Sequence, residues 1–290
     1  MNIYGIFAVS GLAVGSLYAL GGIGLVVLRR ATGFLNFAYG AIAAAAAMTA
    51  WQMLEWGFWG PIAWLSSILT GVVLSASYGR VIAPGLAWRD PAVKAVATLG
   101  YALIILGLIS FLWDDAARKL VLPTDSVGLT LFNVRITVTR LIAFLSCIAI
   151  VVATVLYLDR TRTGLHMRAL ADRRDHAALI GIPISRVETT AWSISGGIAG
   201  FTGLLFGDLV RLDPTVITFM VIPAIAAAVC GRLESLWLTF LGGLGIGVVE
   251  AMLTMFKPVA PLRSMTPFII AALAILWMQR KQKLTFATGA

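Results

Sequence analysis

The chain has 290 residues, 60% of them hydrophobic and only 12% charged, with a mean hydropathy of +0.94. A soluble core cannot use that much apolar surface, so the composition defines a multi-spanning membrane protein with no second, soluble domain. The formal charge of +9 then reads as topology signals at helix ends, and nucleic-acid binding is excluded.

A crossing helix needs roughly 20 apolar residues. The first such stretch, 3–28, lacks the basic leader of a cleaved signal and reads as a retained first helix. The second covers 31–54, the third 58–82 and the fourth 91–113. After the fourth, the alternation Val127-Gly-Leu-Thr-Leu-Phe-Asn-Val-Arg-Ile-Thr-Val-Thr139 predicts a short hairpin. The fifth span is 139–158. A polar island at 159–188 follows, with arginines at 160, 162, 168, 173, 174 and 186 and a short amphipathic helix at 167–180 that ends on Gly181-Ile182-Pro183. The remaining spans are 187–207, 215–231, 235–256 and 267–278. The direct count is nine; the seventh and ninth are short, so eight to ten helices are expected in an all-α polytopic fold.

Helix starts are marked locally. Asp90-Pro91, Asp213-Pro214 and Thr266-Pro267 each put a capping side chain before a proline, whose missing N–H costs nothing at the first helical position. Ser185 and Glu188 have capping-box spacing at the start of the sixth span. Pro223 lies inside an apolar segment, so that helix should be kinked or broken and shielded by protein. Small residues at three- and four-residue spacing, among them Gly11 and Gly15, Gly196 and Gly200, and Gly243 and Gly247, predict close helix packing in lipid. Of the 22 Lys and Arg residues, 15 fall on one side of the nine-helix scheme and 7 on the other. The positive-inside rule places the island and the C-terminus in the cytosol and the N-terminus outside.

The chain has no G-x-x-x-x-G-K-[ST] run and no Gly-Lys pair, so any ATP must be handled by another subunit. His166 and His176 lie in the island without metal-ligand spacing, and Cys147 and Cys230 lie in apolar stretches as small hydrophobes. No cofactor and no catalytic residue is expected. Glu250, inside the eighth span, is the clearest intramembrane ionisable group; a transport path and a packing tie are both open for it. Asn36 is a polar group near Arg29 and Arg30 that would either cap the second helix or face the path.

Four strings occur in order: Gly15-Ser16-Leu17-Tyr18-Ala19-Leu20; Leu35-Asn36-Phe37-Ala38-Tyr39-Gly40; Arg168-Ala169-Leu170-Ala171 leading to Leu179-Ile180-Gly181-Ile182; and Gly231 with Gly242-Gly243 and Gly247-Val248-Val249-Glu250-Ala251. Together they resemble the membrane subunit of branched-chain amino acid ABC importers over nearly the whole chain. The resemblance implies a single permease domain, 1–290, of the bacterial inner membrane, with a cytoplasmic coupling loop at about 159–187. It implies a second homologous permease, two cytosolic ATP-binding subunits and an external solute-binding protein as partners. It also implies that the loop helix fits a groove on the ATPase, with Arg168, Ala171, Asp172, Leu179 and Gly181 as coupling residues and Asn36, Tyr39 and Glu250 as path residues. The chain departs from many relatives at Tyr39 and Ala41, where they carry histidine and an acidic residue. The family's solutes span amino acids, urea, amides and small aromatic acids. An ion-coupled secondary transporter would be expected to carry several intramembrane charges, and here only Glu250 stands out; a non-transporting scaffold is the other alternative.

Overall fold

In lipid a backbone segment must satisfy its own polar groups, which leaves helices as the spanning element for an apolar chain of this kind. The computed structural model describes residues 3–114, 118–122, 124, 128–131, 134–172, 174–256 and 260–279. In chain order the helices are α1 (Ile3–Thr32), α2 (Tyr39–Glu55), α3 (Gly60–Ser77), α4 (Pro91–Trp113), α5 (Val138–Arg160), α6 (Arg162–Asp172), α7 (Arg174–Leu179), α8 (Ile184–Leu209), α9 (Pro214–Phe219), α10 (Val221–Cys230), α11 (Leu236–Leu253) and α12 (Thr266–Gln279). A π turn (Tyr78–Ile82) and a 3-10 turn (Ala83–Leu86) follow α3, and a second 3-10 turn (Ala260–Met265) leads into α12. The hairpin expected near 127–139 is present as β1 (Gly128–Leu131) and β2 (Val134–Thr137), antiparallel with Gly128 opposite Thr137.

Among the described residues, Phe7–Thr32, Gly60–Leu86, Pro91–Trp113, Val138–Arg160 and Leu236–Leu253 are long and apolar enough to cross a membrane unaided. The other expected spans correspond to the 17-residue α2, the more polar α8, the broken pair α9–α10 and the short α12. The fold is all-α and polytopic, as expected. The seventh span is interrupted at Met220, and Pro223 occupies the third position of α10, where a helix has no intrahelical partner for its N–H.

Three boundaries differ from expectation, each for a local reason. Gly33 adopts the left-handed conformation (φ +79°) and ends α1, so α2 starts at Tyr39 and not near residue 31. The Thr161 hydroxyl accepts the Gly164 N–H at 3.1 Å, which starts a helix at Arg162; the single helix expected at 167–180 is instead α6 followed by α7. The capping box does not form: α8 begins at Ile184 after Pro183 with no side-chain cap, because Glu188 is engaged elsewhere. Of the three proline starts, Asp213 caps through its side chain, accepting from Thr215 N–H (3.0 Å) and Val216 N–H (3.3 Å), whereas Asp90 makes no such bond.

α1 is the central helix, with Leu17 to Leu28 buried on every side. Its largest contact is with α11, and small residues set the distance. A Cβ on Gly11 would stand 2.8 Å from the Gly247 carbonyl oxygen, one on Gly15 2.9 Å from that of Gly243, and one on Gly243 2.5 Å from the Ala19 nitrogen. The two backbones therefore touch, and dispersion across that seam substitutes for a hydrophobic drive that lipid does not supply. α3 and α8 meet in the same manner at Gly71, Gly196 and Gly200, with Ser67 Oγ donating to the Gly200 carbonyl (2.8 Å) and Ser75 Oγ to that of Trp192 (2.7 Å). α2 adds its alanine run, Ala43 facing Gly203 of α8.

Candidate functional site

At one end of the bundle α6 and α7 lie across the ends of α1, α5 and α8. Met167, Leu170 and Ala177 are buried beneath them, so the pair is anchored by its apolar side. The outward side carries Ala171, which is exposed, and ends in Leu179 and Ile180, which are 85% and 74% exposed. α7 is stopped by Gly181 at φ +81°: Gly181 N–H donates to the Ala178 carbonyl (3.0 Å) and Ile182 N–H to that of Ala177 (3.1 Å). These two bonds form a Schellman cap, which glycine accommodates without Cβ strain. Two large apolar side chains thus stand exposed at the end of α7.

The five residues singled out for this element take different places. Ala171, Leu179 and Gly181 share the exposed side or tip. Asp172 closes α6, and residue 173 lies outside the described residues. Arg168 points back to α5, where its guanidinium binds the Leu158 carbonyl and the Asp159 carboxylate, the latter at 2.5 Å. It orients α6 on the membrane helices.

A second, more buried tie between this element and the bundle was not legible as a motif. Arg174 of α7 donates to Glu188 of α8 at 2.6 Å; Glu188 is 5% exposed, and the Arg174 guanidinium also lies 5.7 Å from the Trp88 ring centre. Below it, Trp192 packs in tilted geometry against Tyr78 (4.6 Å between ring centres) and Phe34 (6.2 Å), an aromatic cluster on α8. Fourteen sequence positions separate the pair, and no local spacing signals it. At the same end Arg29 donates to the Leu233 carbonyl (3.1 Å) and Arg30 to that of Glu234, gripping the α10–α11 turn. That turn holds Arg232 and Leu233 at positive φ (56° and 58°), a conformation costing about 1–2 kcal/mol per side chain-bearing residue.

The three residues expected along the path are not brought together. Asn36 is buried in the turn ahead of α2, its Oδ1 accepting the N–H of Ala38, the N-cap residue, at 2.9 Å, while α2 itself has no side-chain cap. Tyr39 is fully buried between α2 and α1, its ring filling the space left by Gly24. Glu250 is half-buried on α11 and accepts the Tyr18 hydroxyl at 2.9 Å. It borders a cavity of about 250 Å³ between α1 and α11, away from α6 and α7.

The apolar crossing helices define a polytopic, all-α integral membrane protein. Residues 7–278 match the model of a family described as branched-chain amino acid transport system / permease component, and the chain belongs to that family. It is a permease subunit of an ABC importer and a multi-pass inner-membrane protein. It is 26% identical over 269 residues to the high-affinity branched-chain amino acid transport system permease protein LivH of Salmonella typhimurium, covering 84% of this chain and 83% of that one. BraD of Pseudomonas aeruginosa, a permease of the same description, is 26% identical over 258 residues, 84% of each chain. The autoinducer 2 import system permease protein LsrC of Salmonella paratyphi B is 29% identical over 203 residues, 69% of this chain and 54% of that one. Among solved structures, PsaBC from Streptococcus pneumoniae in complex with Fab has the same fold at a TM-score of 0.50 and 14% identity, over 96% of this chain and 91% of that one. Family membership implies ATP-binding and solute-binding partners.

Proposed function

We propose that the chain is a single permease domain that carries branched-chain amino acids inward, paired with a second homologous permease, two cytosolic ATPases and an external binding protein. Hydrolysis belongs to the ATPases, since this chain has no P-loop run. The end bearing α6 and α7 faces the cytosol and the N-terminus faces outside; the 15-to-7 distribution of basic residues supports that orientation.

The observation that carries the reading is the apolar tip of Leu179 and Ile180 on a Schellman-capped helix, bolted to α8 by Arg174 and Glu188. In this scheme Ala171, Leu179 and Gly181 enter a groove on the ATPase, with Asp172 at the register of the contact and Arg168 orienting α6. Closure of the ATPases pushes α7, and the ion pair delivers the push to α8. Alternating access then proceeds around a site in the middle of the membrane, with Glu250 as the path residue. The test is affinity purification of the complex carrying Ala171→Glu or Leu179→Asp. Loss of the ATPase subunits, or of solute-stimulated hydrolysis, is expected with the permease still in the membrane; full retention of both removes the coupling assignment.

A further inference from the structure

The cavity between α1 and α11 carries opposite charges. Glu250 and Arg263 both line it and act on each other through space, and among the described residues no ion pair within 4.0 Å joins them. The bond that Glu250 makes is to a neutral phenol, the Tyr18 hydroxyl at 2.9 Å, which orients the carboxylate and leaves its charge in place. A second guanidinium reaches the same region: Arg140 donates to the hydroxyl of Ser10, a lining residue, at 3.1 Å. Between the charged groups the wall is apolar, formed by Phe7, Val14 and Val210. The volume of about 250 Å³ is slightly below the range of small-molecule sites, roughly 300–1,000 Å³.

The placement suits a ligand in transit. Tyr18 lies 14 residues before the end of α1 at Thr32, about 21 Å along the axis from α6 and α7. Glu250 is half-buried in the last turn of α11, whereas Arg263 is exposed, so the two charges border the cavity at different depths. A structural tie would close the pair, as Arg174 and Glu188 do at the other end.

We propose that this cavity is a solute-binding site for a zwitterionic α-amino acid with an apolar side chain, its ammonium on Glu250 and its carboxylate on Arg263. Phe7, Val14 and Val210 then receive the side chain, and Tyr18 is a positioning residue that fixes the Glu250 rotamer. The proposal rests on the reading of the chain as an amino acid importer and adds where and how the permease itself holds the solute.

The experiment uses the complete importer in proteoliposomes with its binding protein and radiolabelled leucine as probe. Glu250→Gln keeps the size of the side chain and an acceptor for Tyr18 while removing the charge. Uptake should fall on the order of tenfold to a hundredfold, the worth of one charge-assisted hydrogen bond, with the variant still co-purifying with its ATPases. In parallel, Thr254→Cys on the cavity wall is labelled with a charged thiol reagent. Leucine should slow the labelling, and 4-methylpentanoate, which lacks the ammonium, should not. Normal uptake by Glu250→Gln overturns the proposal, and so does labelling that leucine leaves unchanged. Should Glu250→Gln fail to assemble, the labelling result decides alone. A wild-type complex that takes up no leucine sinks the amino acid reading itself, which keeps the two failures distinct.

Discussion

Glu188 and Glu250, both on membrane helices, sit at opposite ends of the same problem. Glu188 is 5% exposed and closed by Arg174 at 2.6 Å, so its charge is consumed within the protein. Glu250 is half-buried, tied to a neutral hydroxyl, and shares a cavity with an arginine it does not touch. A carboxylate whose charge is fully answered joins one element to another; one whose charge is left open has binding capacity in reserve. The difference separates the α7–α8 tie at one end of the bundle from the cavity lined by α1 and α11.

The comparison breaks most sharply at the closed pair. Glu188→Ala strands the Arg174 guanidinium, and losing one partner of a buried pair costs roughly 3–5 kcal/mol; the 20% exposure of Arg174 puts the cost at the lower end. The thermal midpoint of the purified subunit should drop by several degrees and recover in large part in the reversed pair, Arg174→Glu with Glu188→Arg. Glu250→Gln, by contrast, should leave that midpoint nearly unmoved. A next, smaller effect concerns the seam that presents Glu250 to Tyr18. Gly243→Ala places a methyl 2.5 Å from the Ala19 nitrogen and must push α11 from α1, costing about 1–3 kcal/mol. Gly245→Ala, two residues on, meets nothing within 4 Å and should be neutral or slightly stabilising. Equal melting shifts for the two variants would show that the α1–α11 contact is not set by backbone approach.

What could be read from the chain and what could not divides along the same line. Signals that act within a few residues were legible: Asp213 before Pro214 caps α9, Pro223 coincides with a broken span, and Gly181 stops α7 in the left-handed conformation. Signals that depend on a distant partner were not. Glu188 has the spacing of a capping box, but a bond to a guanidinium outcompetes a backbone N–H, and that guanidinium arrives from α7. Glycine spacing announced close packing without saying that Gly243 faces Ala19 while Gly196 faces Gly71. Arg29 and Arg30 count as topology markers in sequence, yet in the fold they also hold the strained 232–233 turn. Tyr39, named beside Asn36 for the path, lies against α1 at Gly24, a neighbour that an apolar helix does not disclose in sequence.

Asp213 supplies the intermediate case and the smallest effect. Its carboxylate is answered by dipoles: the Thr215 hydroxyl and the N–H groups of Val216 and Thr215, with Arg211 more distant at 3.8 Å. The Thr215 hydroxyl bond and those N–H groups hold its pKa below the ordinary carboxylate value, against a smaller opposing effect of burial. A depressed folded-state pKa means that the stabilisation is complete above the unfolded value of about 3.9 and is lost as pH falls through the folded value. Asp213→Asn keeps an oxygen for the cap and removes the titration, so stability near neutrality should change by a few tenths of a kcal/mol while its acid-side decline becomes shallower; Asp213→Ala should cost about 1 kcal/mol at every pH where the carboxylate is charged. Melting curves of the three proteins between pH 7 and the acid limit of the detergent complex measure both slopes. Identical acid limbs for wild type and Asp213→Asn would show that the charge at this cap adds nothing beyond the hydrogen bonds.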